Sequence, residues 1–193
     1  MSVNNERFNH LIRNLERIPP EYSIFNYKSG TKAFLSLGKG DIREWLDKLL
    51  PSTRIILEPK IIGSGIGIQY VNGKLNKAIN ENSQNITEIV RSLKNIPKSL
   101  PIKNRLEIRG VLYVKENKSI KSNQAECFEI KNSKAQLERH RFCALQIFHC
   151  NINHYQSLQE LKHLNFDVPQ TQFTKNISDI GIFLQCWKEG KLF

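Results

Sequence analysis

The stretch Arg54–Ala78, RIILEPKIIGSGIGIQYVNGKLNKA, decides the fold. It is rich in β-branched and apolar residues, and Asn72-Gly73 stands between two apolar segments, a strong local signal for a two-residue hairpin turn. We read the stretch as a hairpin. Glycines at 63, 65 and 67 alternate with Ser64, Ile66 and Ile68, so one face of the first strand carries no side chains. Close approach of a ligand and close packing of another element are equally compatible with that pattern.

Upstream, Phe8, Leu11, Ile12 and Leu15 fall at helical spacing within Glu6 to Arg17, and Pro19-Pro20 ends the pattern. The apolar run Lys32 to Leu37 stops at Gly38. Asp41 then has the character of an N-cap for a helix carrying Ile42, Trp45, Leu46, Leu49 and Leu50, closed by Pro51. Downstream, the pattern predicts a helix over Thr87 to Asn95, a strand over Leu106 to Val114, a polar loop over Lys115 to Gln124 and a strand over Phe142 to Cys150. A helix over Ser157 to Leu164, a strand around Val168 to Phe173 and a helix over Ser178 to Lys188 complete the order. The expected class is α+β, with mainly antiparallel sheets and flanking helices. Residues 1–31 read as an N-terminal helix and linker, and residues 32–193 as one principal domain.

No apolar run approaches the roughly 18 residues that span a bilayer, and the first residues lack an apolar block with a cleavage site. Membrane insertion and export are therefore not expected. Cys127, Cys143, Cys150 and Cys186 show no C-x-x-C spacing, which favours reduced thiols in a cytoplasmic protein and gives no zinc signature. The net charge of +11 makes DNA or RNA a plausible partner through counterion release alone.

The order of the motifs resembles the adenylation domain of NAD-dependent DNA ligases from about Lys32 onward. FLSL (Phe34–Leu37) is followed by EPKIIG (Glu58–Gly63), similar to the family's E-P-K-x-D-G, and then by the Asn-Gly hairpin. VRSLKNIP (Val90–Pro97), LEIRGVLYV (Leu106–Val114) and SLQELKHLNFDV (Ser157–Val168) resemble the family's next three blocks in order. The resemblance implies the ATP-grasp-like nucleotidyltransferase core of DNA ligases. It places Lys60 where the family's lysine attacks NAD to form lysyl-AMP, and Ser36, Leu37 and Glu58 at the nucleotide pocket, with NAD, AMP or ATP as the implied cofactor.

Two departures bear on chemistry. Ile62 stands at the acidic position of E-P-K-x-D-G, and Val111 at the last position of the family's E-V-R-G-E. A lysine nucleophile needs a neutral amine and groups that stabilise charge developing on phosphate, and hydrocarbon supplies neither. The family's R-G-D-G block is missing between Asn80 and Glu81. The resemblance also ends before the D-G-V-V-I-K strand, and residues 1–31 show no Y-x-x-D signature, so discrimination for NAD is expected to suffer. A sheet without that next strand would be completed by a protein partner or a second copy.

Three function classes follow. The leading one is a catalytically impaired adenylation-type module that binds an adenine nucleotide, nucleic acid or a protein partner. The second is residual self-adenylation or nucleotidyl transfer on Lys60. The third is a basic protein that binds nucleic acid without a nucleotide pocket.

Overall fold

In the computed structural model, Asn72 lies at φ 49° and Gly73 at φ 73°. A two-residue hairpin turn of type I′ requires the left-handed region at both positions. The turn joins β2 (Ser64–Val71) to β3 (Lys74–Asn80). β4 (Leu106–Val114) pairs with the other side of β2, and β5 (His140–Ile147) pairs with β4. The result is an antiparallel sheet of order β3-β2-β4-β5.

The structure describes residues 42–50, 53–114, 127, 134–148, 152–175, 179–180, 182–183 and 185. The expected N-terminal helix, the FLSL segment and the polar loop over 115–124 lie outside them. The described part forms two compact units interleaved in sequence. One contains the four-stranded sheet and spans 61–168; the other takes described residues from 42 to 60 and from 169 to 185.

The hairpin does not reach back to Arg54. β1 (Ile55–Leu57) pairs with β6 (Gln172–Thr174) in a separate two-stranded sheet, in register Ile56↔Phe173. Pro59 gives the physical reason: it has no N–H for a ladder bond, and residues 58–63 carry no strand pairing. The same unit holds α1 (Ile42–Asp47), after which backbone bonds from Lys48 to Trp45 and from Leu49 to Leu46 close the turn.

In the sheet unit, Ile66, Ile68 and Tyr70 of β2 face the core together with Leu106, Ile108 and Leu112 of β4 and Phe142 and Ala144 of β5. The Tyr70 hydroxyl donates to the Pro97 carbonyl at 2.6 Å, and its ring meets Phe166 edge-on at 6.0 Å. Burial pushes the Tyr70 phenol above its ordinary value.

Helix boundaries moved where local hydrogen bonding overrode apolar spacing. α2 (Thr87–Ser92) is shorter than expected, because Leu93 turns extended at φ −68° and ψ 134°, carrying Leu93 and Ile96 into the core. α3 (Lys134–Arg139) has too little apolar periodicity to be expected. α4 (His154–His163) begins earlier than the apolar spacing indicates, since Asn153 and Gln156 form a reciprocal capping box at 2.9 and 3.0 Å.

Both outer strands of the large sheet find partners within the chain. On β5, the Asn95 side chain accepts from the Phe142 N–H at 3.2 Å and donates to the Phe142 carbonyl at 2.7 Å. The Ala144 N–H reaches the Asp167 carbonyl and the Ile147 N–H reaches the Ser157 hydroxyl. On β3, the Ala78 N–H donates to the Thr87 hydroxyl at 2.9 Å, and the Ala78 carbonyl accepts from the Ile86 N–H. At these positions strand pairing with another chain is already pre-empted.

Candidate functional site

Strand alternation sets the geometry of the site. Ser64, Ile66, Ile68 and Tyr70 share the core face of β2, so Gly65, Gly67 and Gln69 share the opposite face. Across the ladder Gly65 stands opposite Val111, Gly67 opposite Arg109 and Gln69 opposite Glu107. The side chains of Arg109 and Val111 therefore flank a glycine strip.

Gly63 shows how closely the backbone passes here. A Cβ on it would lie 1.9 Å from the Leu112 carbonyl oxygen and 2.9 Å from Cγ1 of Val111. No residue larger than glycine fits that approach, which accounts for the glycine of EPKIIG. The same contact sets Val111 beside the residue following Ile62. The fold thus brings together the two neighbourhoods in which the sequence reading found aliphatics at acidic positions.

Glu107 has a structural assignment. It is 5% exposed, accepts from the Gln69 amide at 2.9 Å and lies 3.7 Å from Arg105. Gln69 accepts in turn from Asn76 at 2.8 Å, so a chain of polar contacts crosses three strands. Arg109 is half-buried, and burial lowers its guanidinium from the ordinary value.

Of the nucleotide-pocket residues expected from the sequence, Glu58 is half-buried and Lys60 exposed, following the end of β1 with Pro59 buried between them. Ser36 and Leu37 lie outside the described residues.

A cavity of about 290 Å³ opens on the other face of the sheet, lined by Ser64, Ile66, Leu112, Asn80, Ile86 and Cys127 among others. Alternation separates it from the glycine strip, since Ser64, Ile66 and Leu112 are core-facing. Beyond Asn80, burial raises the pKa of the Glu81 carboxyl, outweighing the lowering influence of the neighbouring Ser64 and Gly65. Sequence reading missed Glu81 as a perturbed group, because only the β2–β3 register brings it to Ser64.

The sign of that shift gives an expectation. With the folded value above the unfolded one, folding favours protonated Glu81; the stabilisation is complete below the ordinary carboxylate range and is lost as pH rises through the folded value. Glu81→Gln should therefore show a flatter dependence of urea-unfolding free energy on pH above about 4. Identical slopes for the two proteins would show that Glu81 does not contribute.

Among the described residues no three His, Cys, Asp or Glu side chains cluster as a metal site, and no helix is long and apolar enough to cross a membrane. Cys127 and Cys143 are both buried.

The glycine-stripped strand of an antiparallel sheet, preceded in sequence by the E-P-K-x-x-G segment, matches the class of an adenylation-type nucleotidyltransferase domain. Residues 31–144 match the model of the NAD-dependent DNA ligase adenylation domain, and the chain belongs to that family. It is 28% identical over 204 residues to a DNA ligase of Metamycoplasma arthritidis (strain 158L3-1), covering 87% of this chain and 30% of that protein. With a DNA ligase of Borrelia turicatae (strain 91E135) it shares 35% over 115 residues, 51% of this chain and 17% of the relative. The chain thus spans a third or less of these relatives. A solved ATP-dependent DNA ligase from bacteriophage T7, in complex with ATP, aligns over 78% of this chain and 56% of its own at 12% identity, with a TM-score of 0.45.

Proposed function

We propose that this chain is an adenylation-type domain that binds an adenine nucleotide but is impaired in carrying AMP on Lys60. The reading is supported by the resemblance, which sets Ile62 and Val111 at the family's two acidic positions, and by the contact at Gly63, where their neighbourhoods meet. Neither side chain can orient an ammonium group or accept a hydrogen bond from a ribose. The glycine strip fits close approach by a flat or sugar-like group, while the reactive requirements of a lysine nucleophile go unmet.

In this reading Ser36, Leu37 and Glu58 line the nucleotide pocket, and Lys60 is a phosphate-facing cation more than a nucleophile. NAD, AMP and ATP are the candidate ligands, in a cytoplasmic protein with reduced thiols. Loss of a catalytic group commonly costs several kcal/mol of transition-state stabilisation, each ~1.4 kcal/mol being tenfold in rate. Two such losses leave ligation negligible.

Intact-mass spectrometry after incubation with NAD, and separately with ATP plus a divalent metal, tests the reading. The expected result is no added AMP mass, with calorimetric binding of AMP or NAD retained. An AMP adduct that disappears in Lys60→Ala would restore the enzyme reading. Absence of both adduct and binding would remove the nucleotide from the account.

A further inference from the structure

The cavity on the core face of the sheet takes no part in the nucleotide account, and its hydrogen-bonding groups are of one kind. Its volume of about 290 Å³ is near the lower end of the roughly 300–1,000 Å³ range of small-molecule sites and far exceeds the ~30 Å³ share of a single water. Gln84 and Asn85 are exposed and the other lining residues are buried, so these two carboxamides form the rim. Inside, the Ser64 hydroxyl is 1% exposed and makes no hydrogen bond to a described residue. Buried hydroxyls are rarely left in that state.

The turn from β3 to α2 fixes the polarity of the rim. Asn80 Oδ1 accepts from the N–H groups of Asn82 and Gln84, both at 3.0 Å, and Asn80 Nδ2 donates to Gln84 Oε1 at 2.7 Å. Asn85 Oδ1 accepts from the Thr87 N–H at 3.0 Å and from the Thr87 hydroxyl at 2.6 Å. A backbone N–H can only donate, which settles the orientation of the Asn80 and Asn85 amides and, through Asn80, that of Gln84. All three carboxamide oxygens are thus engaged within the turn. The amide N–H groups of Gln84 and Asn85 have no described acceptor, and they remain as donors.

We infer that this cavity binds a small uncharged carbonyl compound with an apolar body, such as a compact amide or lactam, whose oxygen accepts hydrogen bonds that Ser64, Gln84 and Asn85 have to give. Ile66, Ile86 and Leu112 supply the wall for the apolar body. No lining residue carries a charge, and the Glu81 carboxyl beside Ser64 opposes an anion there. A cation would meet donors instead of acceptors. Strand alternation puts the cavity on the opposite side of the sheet from the glycine strip, and none of its lining residues is assigned to the nucleotide. The inference therefore stands or falls separately from the nucleotide pocket.

The test is a titration of the ¹⁵N-labelled chain with cyclohexanecarboxamide, followed by NMR at neutral pH. Cyclohexanecarboxylate and cyclohexanecarboxamidine, an anion and a cation of nearly the same shape, are the comparison probes. The carboxamide should shift, saturably, the side-chain amide signals of Gln84 and Asn85 and the backbone amides of Ser64 and Asn80. The other two probes should bind at least about tenfold more weakly, the effect of one lost hydrogen bond. Gln84→Glu with Asn85→Asp keeps the oxygens that Asn80 and Thr87 use and removes only the donors. That double variant should weaken carboxamide binding about tenfold or more and turn the preference toward the amidine. Circular dichroism and thermal melting check its folding. If it fails that check, Ser64→Ala, which removes a hydroxyl with no described partner, should weaken the carboxamide about tenfold instead. No saturable shift at these groups, equal affinity for the three probes, tighter binding of the carboxylate, or unchanged affinity in the folded variants would each overturn the assignment.

Discussion

Gly110→Ala should cost about 3 kcal/mol or more of stability, and should lower the melting temperature by about 10 °C. A Cβ at Gly110 would lie 2.3 Å from Cε2 and 2.4 Å from Cζ of Phe142, and 2.4 Å from the Cys143 carbonyl oxygen. None of these atoms has room to move. Phe142 is fully buried and meets Phe166 edge-on at 6.3 Å, while the Cys143 carbonyl belongs to a strand paired with β4. The methyl group must either separate β4 from β5 at the irregularity between Arg109 and Gly110 or force the ring from its place. Thermal melting by circular dichroism measures the effect. Adding Phe142→Leu should recover part of the loss, because it relieves the ring contact and leaves the carbonyl contact. A Gly110→Ala protein that melts within a degree or two of wild type would mean that β4 and β5 tolerate a wider spacing than this packing indicates.

The second large effect is expected at Asn95. Its amide stands in for a neighbouring strand, exchanging two hydrogen bonds with the backbone of Phe142 and donating a further one to Asp167 at 2.8 Å. Truncation to Ala removes all three and leaves a strand-edge N–H and carbonyl to water, for an expected loss of about 2–3 kcal/mol. Asn95→Asp is a sharper probe. It keeps an acceptor for the Phe142 N–H but loses the donors and sets a carboxylate against both the Phe142 carbonyl and Asp167, so it should rescue nothing at neutral pH. Urea unfolding of the two variants measures both. If Asn95→Asp were as stable as wild type, the donor half of this amide would be irrelevant. Freed of Asn95, β5 would also present an open edge at Phe142, so dimerisation of the Ala variant at high concentration is a natural accompaniment.

Most of the sheet unit could be read from local pattern. The Asn72-Gly73 turn, the strand Leu106–Val114 and the helix before Phe166 are written in turn chemistry and apolar spacing, which act over a few residues. The motif glycines were visible but unexplained: Gly63 and Gly110 make sense only once Leu112, Val111 and Phe142 are beside them. The extent of the first hairpin was misjudged because Ile55–Leu57 and Ser64–Val71 both carry β-branched residues, and Pro59 between them weighed less in the reading than it does in the ladder. Of the site, Ile62 and Val111 were legible as letters, while the meeting of their neighbourhoods through Gly63 was not.

By itself the amino-acid sequence determined the class, the family and the strand-turn-strand unit, since each is recorded in residues close together or in motif order. Tertiary structure alone decided which strand β1 joins, which side of β2 faces the core, and how Asn95 and Ser157 seal β5. Those outcomes depend on pairing register, where a shift of one residue exchanges the two faces of a strand, and register is set by contacts between segments far apart in the chain.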